Sequence, residues 1–558
     1  MAQYRRRLFF VLLLLIFTVS DGHTTQLRIR QVIIKSQNVF NPDIPEENKW
    51  WFQAANKLHF TTKDQVIKRE LLLKGGDVCD PRLVAESERN LRKLDLFRSV
   101  SVRCVTMEDG ATDLLVEVSD IWTTQIRADF GKESNETFYL LGFEETNFGG
   151  YGKNLGFFYS KFGKRLQQEF RYADPQLFGT RFRSTSLFSR WDNGEQIGFD
   201  LVKPFYALKT PYAIRLTAVR QDLEKDLYEN DISLLEFRHR RDFLAVESGI
   251  KFRGNSEYVT RLKLKFEYQD DRFMPVSAPI GTLIPDHKSA GFGVGGAFEE
   301  QDFLKVKNVR KMQRAEDINL GRELDWWLMY APKLLSSDRD RMILSLKGQD
   351  GFRLGEGMFM ISQVGMDGRV SSNGLENTYL YASTNFIFQK EREWHHTLVL
   401  RGEGIKSWAL DGENAVRLDG RTGLRGYRTR SFTGNAAVLG NFEYRVVHPR
   451  EFLRLLYIGY AVFADVGSIT YPKSRQLGPV YSDIGFGLRI LPSRAASGRP
   501  WRLDVSRQLH AGTQKEGWMI SMFGGYSFDL FSNSSRDLRR RPGDVLMEED
   551  SSIRHSEY

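Results

Sequence analysis

The sequence has no long apolar segment outside its N-terminus. No later run approaches the roughly 18 to 20 uncharged apolar residues that a membrane-spanning helix needs. Membrane helices are therefore excluded for the rest of the chain, which either stays in water or crosses lipid as β-strands. The 40 Phe, 21 Tyr and 10 Trp residues favour strands, because membrane barrels combine aromatic girdles with a low mean hydropathy.

Motifs for catalysis and for nucleic-acid binding are also missing. The sequence contains no nucleophile elbow, P-loop or HExxH segment. The run Gly291–Gly296 has the letters of a dinucleotide fingerprint but no helical pattern after it, and His395–His396 has no third ligand at a metal-binding spacing. Basic residues are not interleaved with aromatic ones, and basic loops facing anionic lipid headgroups account for the net charge of +9. We therefore expect no enzyme, no cofactor, no metal and no nucleic-acid partner.

Cysteine is scarce, with Cys79 and Cys104 the two in the chain. Both fall in the first predicted domain, where two thiols of an exported protein often form a disulfide. Two separate buried thiols fit the sequence equally well, because the sequence does not supply the distance between the Cα atoms. Both interpretations stay open at this stage.

The two ends of the chain have compositions of their own. Arg5–Arg7, the apolar block Leu8–Phe17 and the small residues that follow it are typical of a secretory signal peptide, which we place at residues 1–22. The apolar block is too short for an uncleaved membrane anchor. Residues 532–558 form a charged tail with the composition of a disordered segment.

Residues 26–120 predict a small α+β domain with the order β-α-α-β-β. Gln26–Lys35 alternates as a half-buried strand would, and Asp80–Pro81 supplies a cap and an N1 proline for a helix. Two alternating segments around Val102 and Val116 close the domain as strands, joined across Asp109–Gly110. The connection from Phe40 to Phe60 is long enough for an additional helix.

From residue 121 to 531 the pattern is mainly β. Short alternating segments such as Leu262–Tyr268, in which lysines and a glutamate separate apolar residues, are broken by Gly, Asn, Asp and Pro. Such alternation suits a strand that faces lipid on one side and a hydrated interior on the other. A membrane strand takes about 9 to 11 residues plus a turn, so this region predicts about sixteen antiparallel transmembrane strands closed into a barrel.

Two short motifs in this region are the most informative. Leu424–Tyr427 reads LRGY and places an arginine on a glycine-kinked turn, and Phe463–Gly467 reads FADVG and places Asp465 on a later strand. Together with the export signal and the alternating segments, they resemble the BamA/TamA-like outer-membrane assembly and translocation superfamily. Val66–Val102 is similar to the core of a POTRA domain. Further local matches are Glu145–Gly150, Asp174–Gly179, Asp483–Pro492 and Trp501–Leu509.

The resemblance implies one POTRA-like domain followed by a 16-stranded barrel of the bacterial surface antigen type. It also implies that the LRGY loop enters the barrel, where a buried arginine needs a carboxylate partner. The expected lock consists of Arg425, Gly426, Tyr427 and Asp465, while an exposed loop arginine is the alternative. The last strand, Trp518–Phe531, partly matches a sorting signal through Phe523, Gly525, Phe528 and Leu530.

The function implied by the resemblance is insertion, assembly or translocation of client proteins in the bacterial outer membrane. The N-terminal domain would lie in the periplasm and receive unfolded clients, with outer-membrane lipids as further partners and with room for accessory assembly subunits. The alternative is a structural or surface-exposed barrel without transport activity. A passive diffusion porin fits less well, because solute diffusion has no use for a periplasmic domain.

Overall fold

A computed structural model of the chain describes residues 27–133, 136–162, 165–229, 232–276, 284–410, 415–420, 422–428, 431–470, 478–494, 500–510 and 517–524. Its first unit consists of β1 (Ile29–Gln37), α1 (Trp50–Leu58), α2 (Asp64–Glu70), α3 (Pro81–Lys93), β2 (Phe97–Thr106) and β3 (Thr112–Asp120). This is the order expected from the sequence, with α1 as the additional helix between Phe40 and Phe60. The segments predicted as signal peptide and charged tail lie outside the described residues.

The first unit has a core of its own. β3 is the central strand, parallel to β1 and antiparallel to β2. α3 begins where expected, because Pro81 occupies its first turn and the Asp80 side chain accepts the N–H of Arg82 at 2.9 Å. The apolar faces of α2 and α3 cover one side of the sheet, with the buried side chains Val66, Ile67, Leu91, Val102, Leu114 and Val116. Burial of this apolar surface holds the helices on the sheet.

The rest of the described chain is almost entirely β-strand. Its strands are β4 (Thr124–Glu133), β5 (Glu136–Phe148), β6 (Lys153–Phe162), β7 (Arg165–Asp174), β8 (Arg183–Trp191), β9 (Gly194–Lys203), β10 (Tyr212–Glu229), β11 (Ile232–Gly254), β12 (Tyr258–Pro275), β13 (His287–Glu300), β14 (Phe303–Val306), β15 (Glu316–Asn319), β16 (Glu323–Ala331), β17 (Arg341–Gly355), β18 (Met358–Ser371), β19 (Gly374–Glu391), β20 (His395–Trp408), β21 (Val416–Leu418), β22 (Phe432–Gly434), β23 (Ala436–Val447), β24 (Leu456–Thr470), β25 (Val480–Pro492), β26 (Trp501–Gln508) and β27 (Trp518–Gly524). Two short 3₁₀ turns, Leu177–Gly179 and Lys333–Leu335, connect strands.

Twenty of these strands form one large antiparallel sheet in chain order. They are β4 to β13, β16 to β20 and β23 to β27, and β27 lies beside β4 so that the order is circular. Within the described residues, a residue-by-residue ladder joins every neighbouring pair of strands except β27 and β4. We call the end of the sheet at which the chain enters β4 the proximal end, and the opposite end the distal end.

The prediction of sixteen strands is wrong for this sheet. The estimate assumed that several long loops separate the strands, but many connections are short. Two residues connect β8 to β9 and β18 to β19. More strands therefore fit into the same length of chain.

The two faces of the sheet differ in polarity. In β12, Leu262 and Leu264 are 44% and 62% exposed, whereas their neighbours Arg261 and Lys263 are 1% and 3% exposed. β24 repeats the pattern, with Val462 and Val466 exposed and Phe463 and Asp465 buried. Since successive side chains of a strand point to opposite faces, apolar rows cover the outside and charged rows the inside. No described helix is both long enough and apolar enough to cross a membrane.

The structure joins Cys79, in the turn before α3, to Cys104 of β2 by a disulfide, with a Cα–Cα distance of 6.6 Å. The bridge connects the helical layer to the sheet across 25 residues of chain. We predict that replacing both cysteines by serine lowers the free energy of unfolding of the first unit by about 2 to 4 kcal/mol. Thiol labelling of the denatured, unreduced protein is the direct check. Two freely reactive thiols would disprove the bridge.

Candidate functional site

The connection between β20 and β23 folds back against the inward face of the sheet. β21 and β22 pair within this loop, and their apolar side chains pack on residues of β23, β24 and β25. The shared cluster contains Val416, Leu418, Leu424, Tyr427, Phe432, Ala437, Leu439, Ile469 and Tyr481. Apolar burial therefore holds the loop inside the sheet rather than in solvent. We call the described residues of this connection, 415–420, 422–428 and 431–434, the inner loop.

Arg425 of the inner loop makes a bidentate contact with Asp465 of β24. Its Nε donates to Asp465 Oδ2 and its Nη2 to Oδ1, both at 2.8 Å. The two residues are 4% and 1% exposed, and the guanidinium carbon lies 3.6 Å from the centre of the Phe463 ring. The planar guanidinium makes two parallel hydrogen bonds to the carboxylate, which fixes the orientation of both groups. A lysine would supply the charge but not this geometry.

Glu443 of β23 extends this contact into a network. It accepts a hydrogen bond from Arg425 Nη1 and a second from Arg445 Nε, the latter at 2.6 Å. Arg489 of β25 approaches Glu443 at 3.9 Å and donates to Asp504 of β26 at 2.5 Å. Opposite charges therefore alternate across four neighbouring strands, which offsets the cost of removing each charge from water.

The position after Arg425 has no room for a side chain, so glycine is required there. A Cβ atom at this position would lie 2.6 Å from Cβ of Asp483, so a side chain would force the loop away from β25. The backbone on both sides of the turn is also held: Ser506 Oγ donates to the Arg425 carbonyl at 3.2 Å, and Gln508 Nε2 donates to the Gly426 carbonyl at 2.8 Å. β26 therefore positions the loop backbone while β23 and β24 bind the guanidinium.

Tyr427 closes the distal side of the inner loop. Its hydroxyl donates to the carbonyl of His510 at 2.5 Å and accepts the N–H of Ser482 at 3.2 Å. Its ring packs edge-on against Phe432 and Tyr481, with ring centres 5.5 and 5.8 Å away. The structure thus brings Arg425, Gly426, Tyr427 and Asp465 into one buried site.

Sequence reasoning did not assign a role to Glu443, Arg445, Arg489 or Asp504. A signal was present in β23, where Asn441, Glu443 and Arg445 alternate with Phe442 and Tyr444. The same alternation that placed Asp465 would have placed these charges on the inward face. Of the predicted sorting-signal residues, Phe523 belongs to β27, whereas Gly525, Phe528 and Leu530 lie outside the described residues.

A second segment obstructs the inside from the proximal end. The hairpin of β14 and β15, between β13 and β16, is here called the plug hairpin (residues 302–320). Its Val309, Ile318 and Leu320 pack on inward-facing residues of β18, β19 and β20, namely Phe359, Ile361, Ile387 and Val399. On the adjacent strand β23, Arg445 Nη1 donates to the carbonyl of Val309 at 2.8 Å. The plug hairpin therefore lies against the inward face of β18 to β20 and β23 and joins the arginine network.

The plug hairpin is also tied to helix α3 of the first unit. Arg92 Nε and Nη2 each donate to a carboxylate oxygen of Asp317 at 2.7 Å, and Lys305 Nζ donates to Glu88 at 2.9 Å. Burial disfavours the ionised form of Glu88, but the hydrogen bond from Lys305 and the charge of Arg92 outweigh this and lower the pKa of its carboxyl. The helix thus holds the plug hairpin from outside the sheet.

The first unit contacts the proximal end at several separate points. Asn147 at the end of β5 donates to the carbonyl of Phe60 at 2.8 Å. After β7, Gln176 Nε2 donates to Glu70 at 2.7 Å, and after β9 the N–H of Leu208 donates to Glu86 at 3.1 Å. After β25, Arg494 donates to Glu47 at 2.7 Å. These contacts are spread around the strand order, so the unit lies across the proximal end.

Among the described residues, no group of three or more His, Cys, Asp and Glu side chains could hold a metal ion. No protein-family model and no curated protein matches the sequence.

Three solved structures are similar to parts of this chain. CdiB from Acinetobacter baumannii is similar over 89% of this chain and 73% of its own, with 11% identity and a TM-score of 0.43. CdiB from Escherichia coli is similar over 90% and 75%, with 11% identity and a TM-score of 0.43. BamA from Haemophilus ducreyi, in a crystal structure lacking POTRA domains 1–3, is similar over 88% and 84%, with 13% identity and a TM-score of 0.37.

We predict strong coupling between Arg425 and Asp465 in a double-mutant cycle. Arg425→Gln leaves buried carboxylates without their bidentate partner, at a cost of about 3 to 5 kcal/mol. Arg425→Gln combined with Asp465→Asn should then cost much less than the sum of the single changes. Urea unfolding of the protein in lipid vesicles measures these free energies.

The exposed pair Arg220–Asp242 is the matched control. Its side chains are 75% and 46% exposed with Nε to Oδ1 at 2.7 Å, so solvent screening should leave its coupling close to zero. Fully additive effects of Arg425→Gln and Asp465→Asn would show that the inner loop is not locked by this pair.

Proposed function

We propose that this chain is a β-barrel protein of the bacterial outer membrane that inserts, assembles or translocates client proteins. The observation that carries the proposal is the polarity of the twenty-stranded sheet, which is apolar outside and charged inside. A sheet in water would bury its apolar face, whereas a barrel in lipid exposes it. The resemblance to the BamA/TamA-like superfamily adds the client-handling role.

Outer-membrane lipids are the partners of the outer surface in this proposal. Apolar side chains exposed to about half of their area recur around the sheet, among them Phe157, Leu264, Phe292, Val364 and Ile484. Exposed apolar area of this extent is unfavourable in water. Residues 1–22, as a signal peptide, would direct the chain through the inner membrane and place the first unit in the periplasm.

Protein handling explains the interior better than solute diffusion does. The inner loop and the plug hairpin both occupy the inside of the sheet, and the first unit lies across its proximal end. A diffusion pore needs an open path, whereas a client protein could pass at the junction of β27 and β4. There, β27 and β4 would separate while the charged side chains of the interior keep their ion-pair partners.

The first unit would receive clients as a POTRA-like domain. In its sheet, β1 and β2 are the edge strands. An edge strand offers unpaired N–H and C=O groups to any extended chain, so it can bind unfolded clients regardless of their sequence. Accessory assembly subunits could use the same edges.

The alternative function is a structural or surface-exposed barrel without transport activity. The occupied interior favours it, because the Arg92–Asp317 and Arg445–Val309 contacts attach the plug hairpin on two sides. In this case the inner loop and the plug hairpin would be permanent parts of the core.

Depletion of the protein, followed by quantification of all other outer-membrane proteins, tests the proposal. A broad loss is expected if the chain assembles barrels, and loss of one exported protein is expected if it is a dedicated secretion pore. Unchanged levels of all of them would support the barrel without transport activity.

Complementation makes this test specific to the proposed site. Wild-type protein and Arg220→Gln, an exposed arginine on β10, should restore the lost proteins. Arg425→Gln should not restore them, although it reaches the membrane in equal amount. Full rescue by Arg425→Gln would contradict a functional role for the inner loop.

A further inference from the structure

Helix α1 has two apolar faces, and only one of them is covered. Phe52 is buried and stacks on Phe40 with ring centres 4.3 Å apart. On the other face, Trp50 and Leu58 are 78% and 74% exposed and Trp51 is 48% exposed. Trp50 and Leu58 are eight residues apart and therefore lie on the same side of the helix. Neither tryptophan contributes to the core of the first unit.

The helix sits at the proximal rim next to the junction of β27 and β4. On one side, an apolar cleft of about 350 Å³ separates it from the turn between β23 and β24 and from the end of β25; its lining includes Ala55, Trp122, Leu455 and Pro492. On the other side, Phe60, two residues after α1, contacts Phe148 of β5 with ring centres 5.9 Å apart. α1 and Phe60 therefore lie at the part of the rim where the first and last strands meet, between the turn that precedes β24 and the end of β5.

The exposed face of α1 continues the apolar outside of the sheet. Phe148 is 50% exposed and follows Leu141 and Phe143, which are 47% and 46% exposed on the outside of the same strand. Its contact with Phe60, itself 43% exposed, extends this surface onto the first unit. At the other flank, Phe452 and Leu453 are 55% and 71% exposed in the turn that precedes β24. An apolar rim thus runs along both sides of α1.

The charges around this face suit a lipid headgroup region. α1 contains no acidic residue, and Lys49, Lys57 and Lys63 are exposed around it. Lys63 Nζ lies 3.8 Å from the centre of the Tyr151 ring. Tryptophan is enriched at membrane interfaces, and lysine places its stem on apolar surface while its ammonium group reaches the headgroups. A short helix with these features lies in the plane of the interface.

We propose that the Trp50, Trp51 and Leu58 face of α1, together with Phe60, binds the lipid interface at the proximal side of the barrel. The inference rests on the proposed membrane barrel. It adds that the first unit is anchored to the bilayer beside the junction of the first and last strands. A second copy of the chain and an apolar client segment are the other possible occupants of this face.

Spin labels on the full chain, reconstituted in vesicles of phosphatidylethanolamine and phosphatidylglycerol, test the proposal. One label replaces Leu58, a second replaces Leu264 on the outside of β12, and a third replaces Lys35, an exposed residue of β1. Collisions with oxygen report lipid, and collisions with a water-soluble nickel chelate report water. The oxygen-to-nickel ratio at position 58 should exceed that at position 35 several-fold and approach that at position 264.

Each other outcome has a distinct meaning. If position 264 is lipid-like and position 58 resembles position 35, α1 does not bind lipid and only this inference fails. If positions 58 and 264 both resemble position 35, the proposed membrane barrel fails as well. If position 58 is shielded from both reagents, a protein covers the face and the inference is overturned. Dilution with unlabelled chain then identifies a second copy by the loss of label-to-label broadening.

A paired substitution adds a control. Trp50→Glu places a charge on the exposed face and should shift the label at position 58 toward water, while Trp50→Phe should leave it in lipid. An unchanged oxygen-to-nickel ratio in Trp50→Glu would also overturn the proposal.

Discussion

The interior of this protein depends on the hydrogen bonds that the carboxylate of Glu443 accepts from two arginines. One of its oxygens accepts from Arg425 of the inner loop and the other from Arg445, which in turn holds the plug hairpin through Val309. Strand alternation forces charged side chains inward once the outer face is apolar. Inside, each charge needs a partner, because an unpaired buried charge costs several kcal/mol. The two segments that occupy the interior are thereby attached to the same pair of residues.

The contacts of Glu443 and Arg445 connect the two ends of the sheet. The inner loop enters from the distal end and the plug hairpin from the proximal end, where Arg92 and Asp317 connect it to the first unit. Movement of the first unit would pull on the plug hairpin and, through Arg445, on Glu443. In the proposed function, binding of a client to the first unit could therefore change the position of the inner loop. The contacts that connect the two are all within hydrogen-bonding distance.

The sequence contained much of this arrangement, but not all of it. Alternation identified the two faces of β12 and β24, and the LRGY and FADVG motifs singled out Arg425 and Asp465. The number of strands was underestimated, because hydrophobic alternation does not reveal where a short turn replaces a long loop. The plug hairpin was missed for a related reason: its strands of four residues are too short to show a period. Glu443 was not assigned because no motif singled it out, although its alternation with Phe442 and Tyr444 is that of an inward-facing residue.

The central claim is that the described sheet is a lipid-embedded barrel with its charges inside. Gel migration after extraction in mild detergent tests it most directly, with circular dichroism of the same sample. A barrel of this kind resists detergent until it is heated, so the unboiled protein should migrate differently from the boiled protein and give a β-type spectrum. Equal migration of boiled and unboiled samples, together with a mainly helical spectrum, would contradict the account.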